Sequence, residues 1–125
     1  MFKIPVFIVH YKKLTERKEY LDKALKDNGF LNIHWFEDID RDTMTQEQLN
    51  MYQYNPKKWM LDNATWEHYQ SPPRQLALPE IACAVTHIEI YKYIVEHNIE
   101  TALVLEDDCK LLDGFYPRFK RLIKE

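Results

Sequence analysis

Glycine is nearly missing from this sequence, with two residues in 125, Gly29 and Gly114. A Walker-type phosphate cradle needs glycines close together in one loop, so that backbone amides can reach the phosphates. Two glycines this far apart exclude it. Cysteine is as scarce. Cys83 and Cys109 make no disulfide framework, and both read as reduced thiols in a reducing compartment, which leans towards a cytoplasmic location. No apolar run approaches the roughly 20 residues of a membrane-spanning helix. The opening "MFKIPVFIVHYKK" is short, contains Pro5 and has no small-residue cleavage site, so it reads as a strand and not as a signal peptide. A block of one charge is lacking too: 17 Lys and Arg stand against 20 Asp and Glu, a formal net charge of -3. A general nucleic-acid binder would need a basic stripe to neutralise phosphates, so nucleic acid is not an expected partner. No internal repeat or low-complexity segment is present.

What is there suits a folded globular chain. Apolar residues make up 46% and aromatics 14%, enough for one domain over residues 1–125 with one core. "IPVFIVH", Ile4 to His10, is β-branched and continuously apolar, as a strand covered on both faces would be. Helical spacing follows from Thr15 to Asn28, with Leu14, Leu21, Ala24 and Leu25 on one side and Asn28-Gly29 as the stop. "NIHWFE", Asn32 to Glu37, is a second strand. The β-α-β order predicts a right-handed crossover to a parallel neighbour.

Thr45 and Gln48 have capping-box spacing, which starts a short helix ending near Tyr54. Asn55 to Leu78 has no clean period and carries Trp59, Trp66, Tyr69 and Pro72-Pro73, which suggests a functional or mobile loop. Within it, Asn63 to Thr65 spells a glycosylation sequon that has meaning only in a secreted chain. A clear helix begins at Pro79-Glu80, shows Ile81, Ala84, Val85, Ile88, Tyr91 and Val95 at 3.6-residue spacing, and ends at His97-Asn98. "TALVL" is a buried strand, and Pro117 opens a last helix. The expected fold is therefore α/β, a mostly parallel sheet flanked by helices.

"TALVLEDDCK" ends its apolar run on Glu106, Asp107 and Asp108. Crowded carboxylates repel one another and resist desolvation, so either they splay into water or a cation holds them. Ligands of parallel α/β sheets bind beyond the carboxyl ends of the strands, which is where these three fall. If the strand stays extended through Asp108, Glu106 and Asp108 share one face. That all-oxygen pair suits Mn2+ or Mg2+. The plainer alternative is a wet, acidic turn after a strand.

Other residues admit two readings each. Lys12, Lys13, Arg17 and Lys18 crowd a helix start, where cations oppose the helix dipole. A bound phosphate would explain them, and so would a solvated face. Asp38 and Asp40 follow the second strand, facing a ribose or solvating a turn. His87 borders the apolar side of its helix, either hydrogen-bonded within the fold or lining a site. No partner histidine stands at metal-ligand spacing to it.

"LPEIACAVTHIEIYKYIVEHN" and "ALVLEDDCKLLDGF" together resemble glycosyltransferase family 25, whose members build lipopolysaccharide and galactosylate collagen. Glu80, Cys83, Ala84 and His87 fall on the family's acidic-Gly/Ala-Cys-Ala-Ser-His pattern, with Thr86 in place of Ser. The Glu-Asp-Asp strand follows. "VFIVHYKKLTERKEYL" looks like the family's first strand and Arg-containing helix, with His10-Tyr11 where Asn-Leu is usual. The resemblance implies a GT-A-like fold, incomplete in this chain, in which Glu106, Asp107 and Asp108 form a DxD-like motif. Asp108 would be the best direct ligand of Mn2+ or Mg2+ and Glu106 its partner. It also implies donor-binding roles for Val9, His10, Tyr11, Arg17 and His87, and a UDP-sugar donor, galactose foremost, for a glycan or protein hydroxyl. The acceptor half and the catalytic base are expected to fall outside residues 1–125. Two other activities fit the same residues: a nucleotide-sugar-binding module without turnover, and a small metal phosphohydrolase using Asp107 or Asp108.

Overall fold

A computed structural model describes residues 3–51 and 76–123. By contacts the chain divides into two units, Met1–Asp38 with Thr86–Glu125, and Ile39–Val85. The elements are β1 (Val6–Val9), α1 (Thr15–Asp27), β2 (Ile33–Phe36), α2 (Gln46–Met51), α3 (Leu78–Glu96), β3 (Leu103–Glu106) and α4 (Phe115–Leu122). Among the described residues no helix is long and apolar enough to cross a membrane.

The first unit is built on a three-stranded sheet in the order β2-β1-β3, and both pairings are parallel. β1 is central and buried along its whole length, the reason its sequence is apolar without alternation. The pleat sends Val6 and Ile8 to one face. There they join Leu21 and Leu25 of α1, with Phe30, Ile33, Trp35, Leu103, Leu105 and the α4 rings Phe115 and Phe119. Phe7 takes the other face, against the rings of His34 (4.9 Å), Phe36 (5.8 Å) and Tyr93 of α3 (5.5 Å). Helices thus cover both sides of a parallel sheet. The expected α/β architecture is borne out, and it is consistent with a partial GT-A-like fold.

α1 stops where Asn28-Gly29 indicates. Gly29 has φ 83°, its N–H bonds the Lys26 carbonyl (3.0 Å), and the Phe30 N–H bonds the Leu25 carbonyl (3.0 Å). This is the Schellman pattern, and it turns the chain so that Phe30 and Leu25 are both fully buried. Gly29→Ala puts a Cβ into the left-handed region, and we expect it to lower stability by about 1–2 kcal/mol in a urea titration. An unchanged midpoint would remove this cap from the account of the turn.

Two boundaries and one face differ from expectation. α4 begins at Phe115, behind Gly114 at φ 78°, two residues before Pro117. Proline is tolerated there because first-turn N–H groups have no helical partner to lose. β3 ends at Glu106, and the Cys109 N–H returns to the Glu106 carbonyl (3.3 Å) in a turn. The strand geometry that would put Glu106 and Asp108 on one face therefore stops short of Asp108. On α3, Ile81 and Val85 are buried as expected, but Ile88, Tyr91 and Val95 are exposed and Ile90 is fully buried. Apolar residues lie on nearly every side of this helix, so spacing alone could not choose the face that meets the sheet.

The second unit contributes α2, whose capping box forms as its spacing requires. The Gln48 N–H donates to Thr45 Oγ1 (3.2 Å) and the Thr45 N–H to Gln48 Oε1 (2.8 Å). Asp40 closes the turn before it by accepting the Asp42 N–H (2.8 Å). Trp59, Trp66, Tyr69, Pro72-Pro73 and the sequon at Asn63 lie outside the described residues.

Candidate functional site

The carboxyl ends of β1 and β3 lie side by side, with Val9 paired to Glu106. The next ladder bond runs from the Asp107 N–H to the Val9 carbonyl (3.1 Å), so the two chains part only beyond it. The pleat then distributes the acidic residues. Glu106 follows Val104 to the α3 face of the sheet, and Asp107 follows Leu105 to the α1 face.

On the α1 face the Asp107 carboxylate is enclosed and satisfied. Its Oδ2 accepts from His10 Nδ1 (2.9 Å) and from the Tyr11 backbone N–H (3.2 Å); its Oδ1 accepts from Arg17 Nη1 (3.1 Å). An ionised carboxylate only accepts, so the His10 proton sits on Nδ1. The imidazole is buried, edge-on to Trp35 at 5.2 Å, and its Nε2 has no hydrogen-bond partner. The nearest carboxylate to that nitrogen is Glu37 Oε2 at 3.8 Å. Glu37 is held by Lys18, whose Nζ reaches Oε2 at 3.1 Å and lies 5.1 Å from the Trp35 ring centre. Of the cations crowded after β1, Arg17 and Lys18 are thus committed to acidic partners. That removes the unexplained cost of placing them at a helix start.

On the α3 face, Glu106 is exposed and meets His87. Nε2 of His87 lies 3.2 Å from Glu106 Oε1, and the Tyr91 hydroxyl lies 3.4 Å from Nδ1. With a carboxylate as acceptor, Nε2 donates, and a neutral ring then accepts the Tyr91 proton. His87 is accordingly both hydrogen-bonded within the fold and next to the acidic turn. Asp108 is exposed, on the rim of a cleft of about 360 Å³ that Arg17, Tyr20, Asp107 and Lys110 also line. Small-molecule sites start at about this size.

The geometry therefore gathers Val9, His10, Tyr11, Arg17, Glu106, Asp107 and Asp108 at one end of the sheet, with His87 reaching Glu106 from α3. Sequence reasoning missed Glu37 and gave Tyr91 only an apolar role. The signal for Glu37 was its period-2 relation to Trp35 at the end of β2, the strand next to β1.

Comparison with known proteins shows the family. The model of a protein family described as glycosyltransferase family 25 (LPS biosynthesis protein) matches residues 3–125. The chain is 21% identical over 120 residues to procollagen galactosyltransferase 2 of Mus musculus, covering 96% of this chain and 18% of that protein. It is 22% identical over 123 residues to a glycosyltransferase 25 family member of Drosophila melanogaster, again covering 96% of this chain and 18% of the relative. A shorter stretch of 72 residues is 31% identical to UvrABC system protein C of Thermoanaerobacter sp., covering 58% of this chain and 11% of that protein. The chain thus spans about a fifth of the length of the first two relatives.

Proposed function

The chain belongs to glycosyltransferase family 25, and we propose that it binds the UDP-sugar donor of a glycosyl transfer at the carboxyl ends of β1 and β3. One observation carries the reading: the acidic turn is divided, with Asp107 enclosed by three donors while Glu106 and Asp108 remain exposed, Asp108 on the rim of a cleft. A wet surface turn gives no reason to bury the middle carboxylate and fix it from two elements. A binding turn does, because its outer carboxylates need a rigid base.

The side-chain chemistry suits a hard divalent cation. Glu106 and Asp108 offer carboxylate oxygens two positions apart, the ligand type of Mn2+ and Mg2+, and exposure leaves room for water and phosphate oxygens. Asp108 is the more open of the two, since Glu106 also meets His87. When bound, such an ion would offset the diphosphate charge and the charge that develops on departing UDP. The residues have their own tasks. His87 orients the Glu106 carboxylate, Arg17 and Lys110 bring positive charge to the cleft, and Val9, His10 and Tyr11 form the end of β1 against which the nucleotide is held. Galactose is the sugar this reading favours, with a hydroxyl of a glycan or protein as acceptor. Transfer would proceed with inversion, assisted by a carboxylate base. No described residue is assigned that role.

Calorimetric titration with UDP and UDP-galactose, with and without Mn2+, tests the reading. Binding of both is expected with Mn2+ and not without it. Equal binding in the two buffers would remove the metal from the site. Product formation from UDP-galactose separates a transferase from a module that holds its donor without turnover, and phosphate release from simple esters would favour a phosphohydrolase instead.

A further inference from the structure

We propose that Asp107 is the positioning residue of the acidic turn, locked by His10, and that this clamp, not metal ligation, is its contribution. The inference rests on the donor-site reading above and deepens it. Three donors from two elements converge on one carboxylate: His10 Nδ1 at 2.9 Å, the Tyr11 N–H at 3.2 Å and Arg17 Nη1 at 3.1 Å. His10 and Tyr11 continue β1, and Arg17 lies in the first turn of α1. Asp107 belongs to the end of β3, so its carboxylate ties these segments together beyond the last ladder bond. Its side chain is only 10% exposed. To ligate an ion it would have to give up three hydrogen bonds, one of them from the buried His10 ring. A buried donor left unpaired is costly. Glu106 and Asp108, on either side of Asp107, are exposed, and their backbone is set by where Asp107 is held.

His10 suits the task through one atom. Nδ1 bonds Asp107, while Nε2 is buried with no hydrogen-bond partner and stands 3.8 Å from Glu37. Only a donor at the Nδ1 position is required. Asparagine carries its Nδ2 donor at the same distance along the side chain, so it can replace histidine as the lock; leucine fills similar space and cannot.

The test uses the full chain with Mn2+ and UDP as probes, and a urea titration to establish that each variant is folded. His10→Leu is expected to weaken Mn2+-dependent UDP binding about 10- to 100-fold at unchanged 1:1 stoichiometry, the range found when an outer-shell partner of a metal site is lost. His10→Asn should recover most of that loss. Asp107→Asn should resemble His10→Leu, and the double variant should be little worse than either, because both break one clamp. A metal-independent readout accompanies these. Nitrogen NMR should report the proton of His10 on Nδ1, and the Tyr11 amide should exchange faster in Asp107→Asn. The clamp is overturned if His10→Leu binds as the wild type does, if His10→Asn fails to rescue, or if Asp107→Asn is as severe as Asp108→Asn and additive with His10→Leu. Should the wild type bind no UDP with Mn2+, the donor-site reading fails separately. The clamp is then decided by NMR alone, and an Nε2–H tautomer or an unaltered Tyr11 exchange rate overturns it.

Discussion

Asp108→Asn is expected to lower Mn2+-dependent UDP affinity by at least about a hundredfold, since removing a direct ligand should cost no less than the 10- to 100-fold reported for outer-shell partners. The substitution keeps the size and one carbonyl oxygen of the side chain and deletes its charge. A hard cation is held chiefly by charge, so the amide is a poor substitute. The fold should not respond. Asp108 is exposed, and surface substitutions away from caps and networks stay within about 0.5 kcal/mol. In metal-free buffer neither protein should bind UDP. The comparison therefore isolates the metal from folding. Titration of the two proteins side by side with equal affinities would take Asp108 out of the site, and the donor-binding reading would lose the metal ligand it depends on most.

Much of this could be read from the chain, for identifiable reasons. β1 announced itself because a central parallel strand must be apolar on both sides, and "VFIV" is. The end of α1 was legible because only a few residues accept a left-handed backbone, and Gly29 is one. The acidic turn was visible as charge at the end of an apolar run. What lay hidden was its internal division. Spacing assumed an extended strand through Asp108, whereas the Cys109 N–H closes a turn on Glu106. No local pattern could show that Asp107 meets His10, 97 residues earlier, because that contact exists only once β1 and β3 are neighbours. The exposed side of α3 was hidden for another reason: with apolar residues around most of the helix, periodicity has little to select. His87 was ambiguous in sequence because its two readings turn out to be compatible.

Phe7→Ala should be the most destabilising single change in the first unit, at about 3–5 kcal/mol for deleting a fully buried aromatic side chain. The reasons are positional. Phe7 is on the central strand, so both neighbouring strands wall it in, and its ring fills the space between His34, Phe36 and Tyr93. No adjacent backbone can collapse into the cavity, because β1 is fixed by ladders on both edges. Native domains are stable by only about 5–15 kcal/mol, so the loss is a large part of the total. Val95→Ala is the control. Val95 is equally apolar but 73% exposed on α3 and should change stability by less than about 0.5 kcal/mol. Urea titrations of both variants decide the matter, read by midpoint at constant slope. If Phe7→Ala cost under about 1 kcal/mol, the tight aromatic packing on the α3 face would be refuted. If Val95→Ala cost as much as Phe7→Ala, the side of α3 turned to the sheet would be the one its spacing first suggested. Since His87 reaches Glu106 only from the present orientation of α3, that second outcome would also separate His87 from the acidic turn.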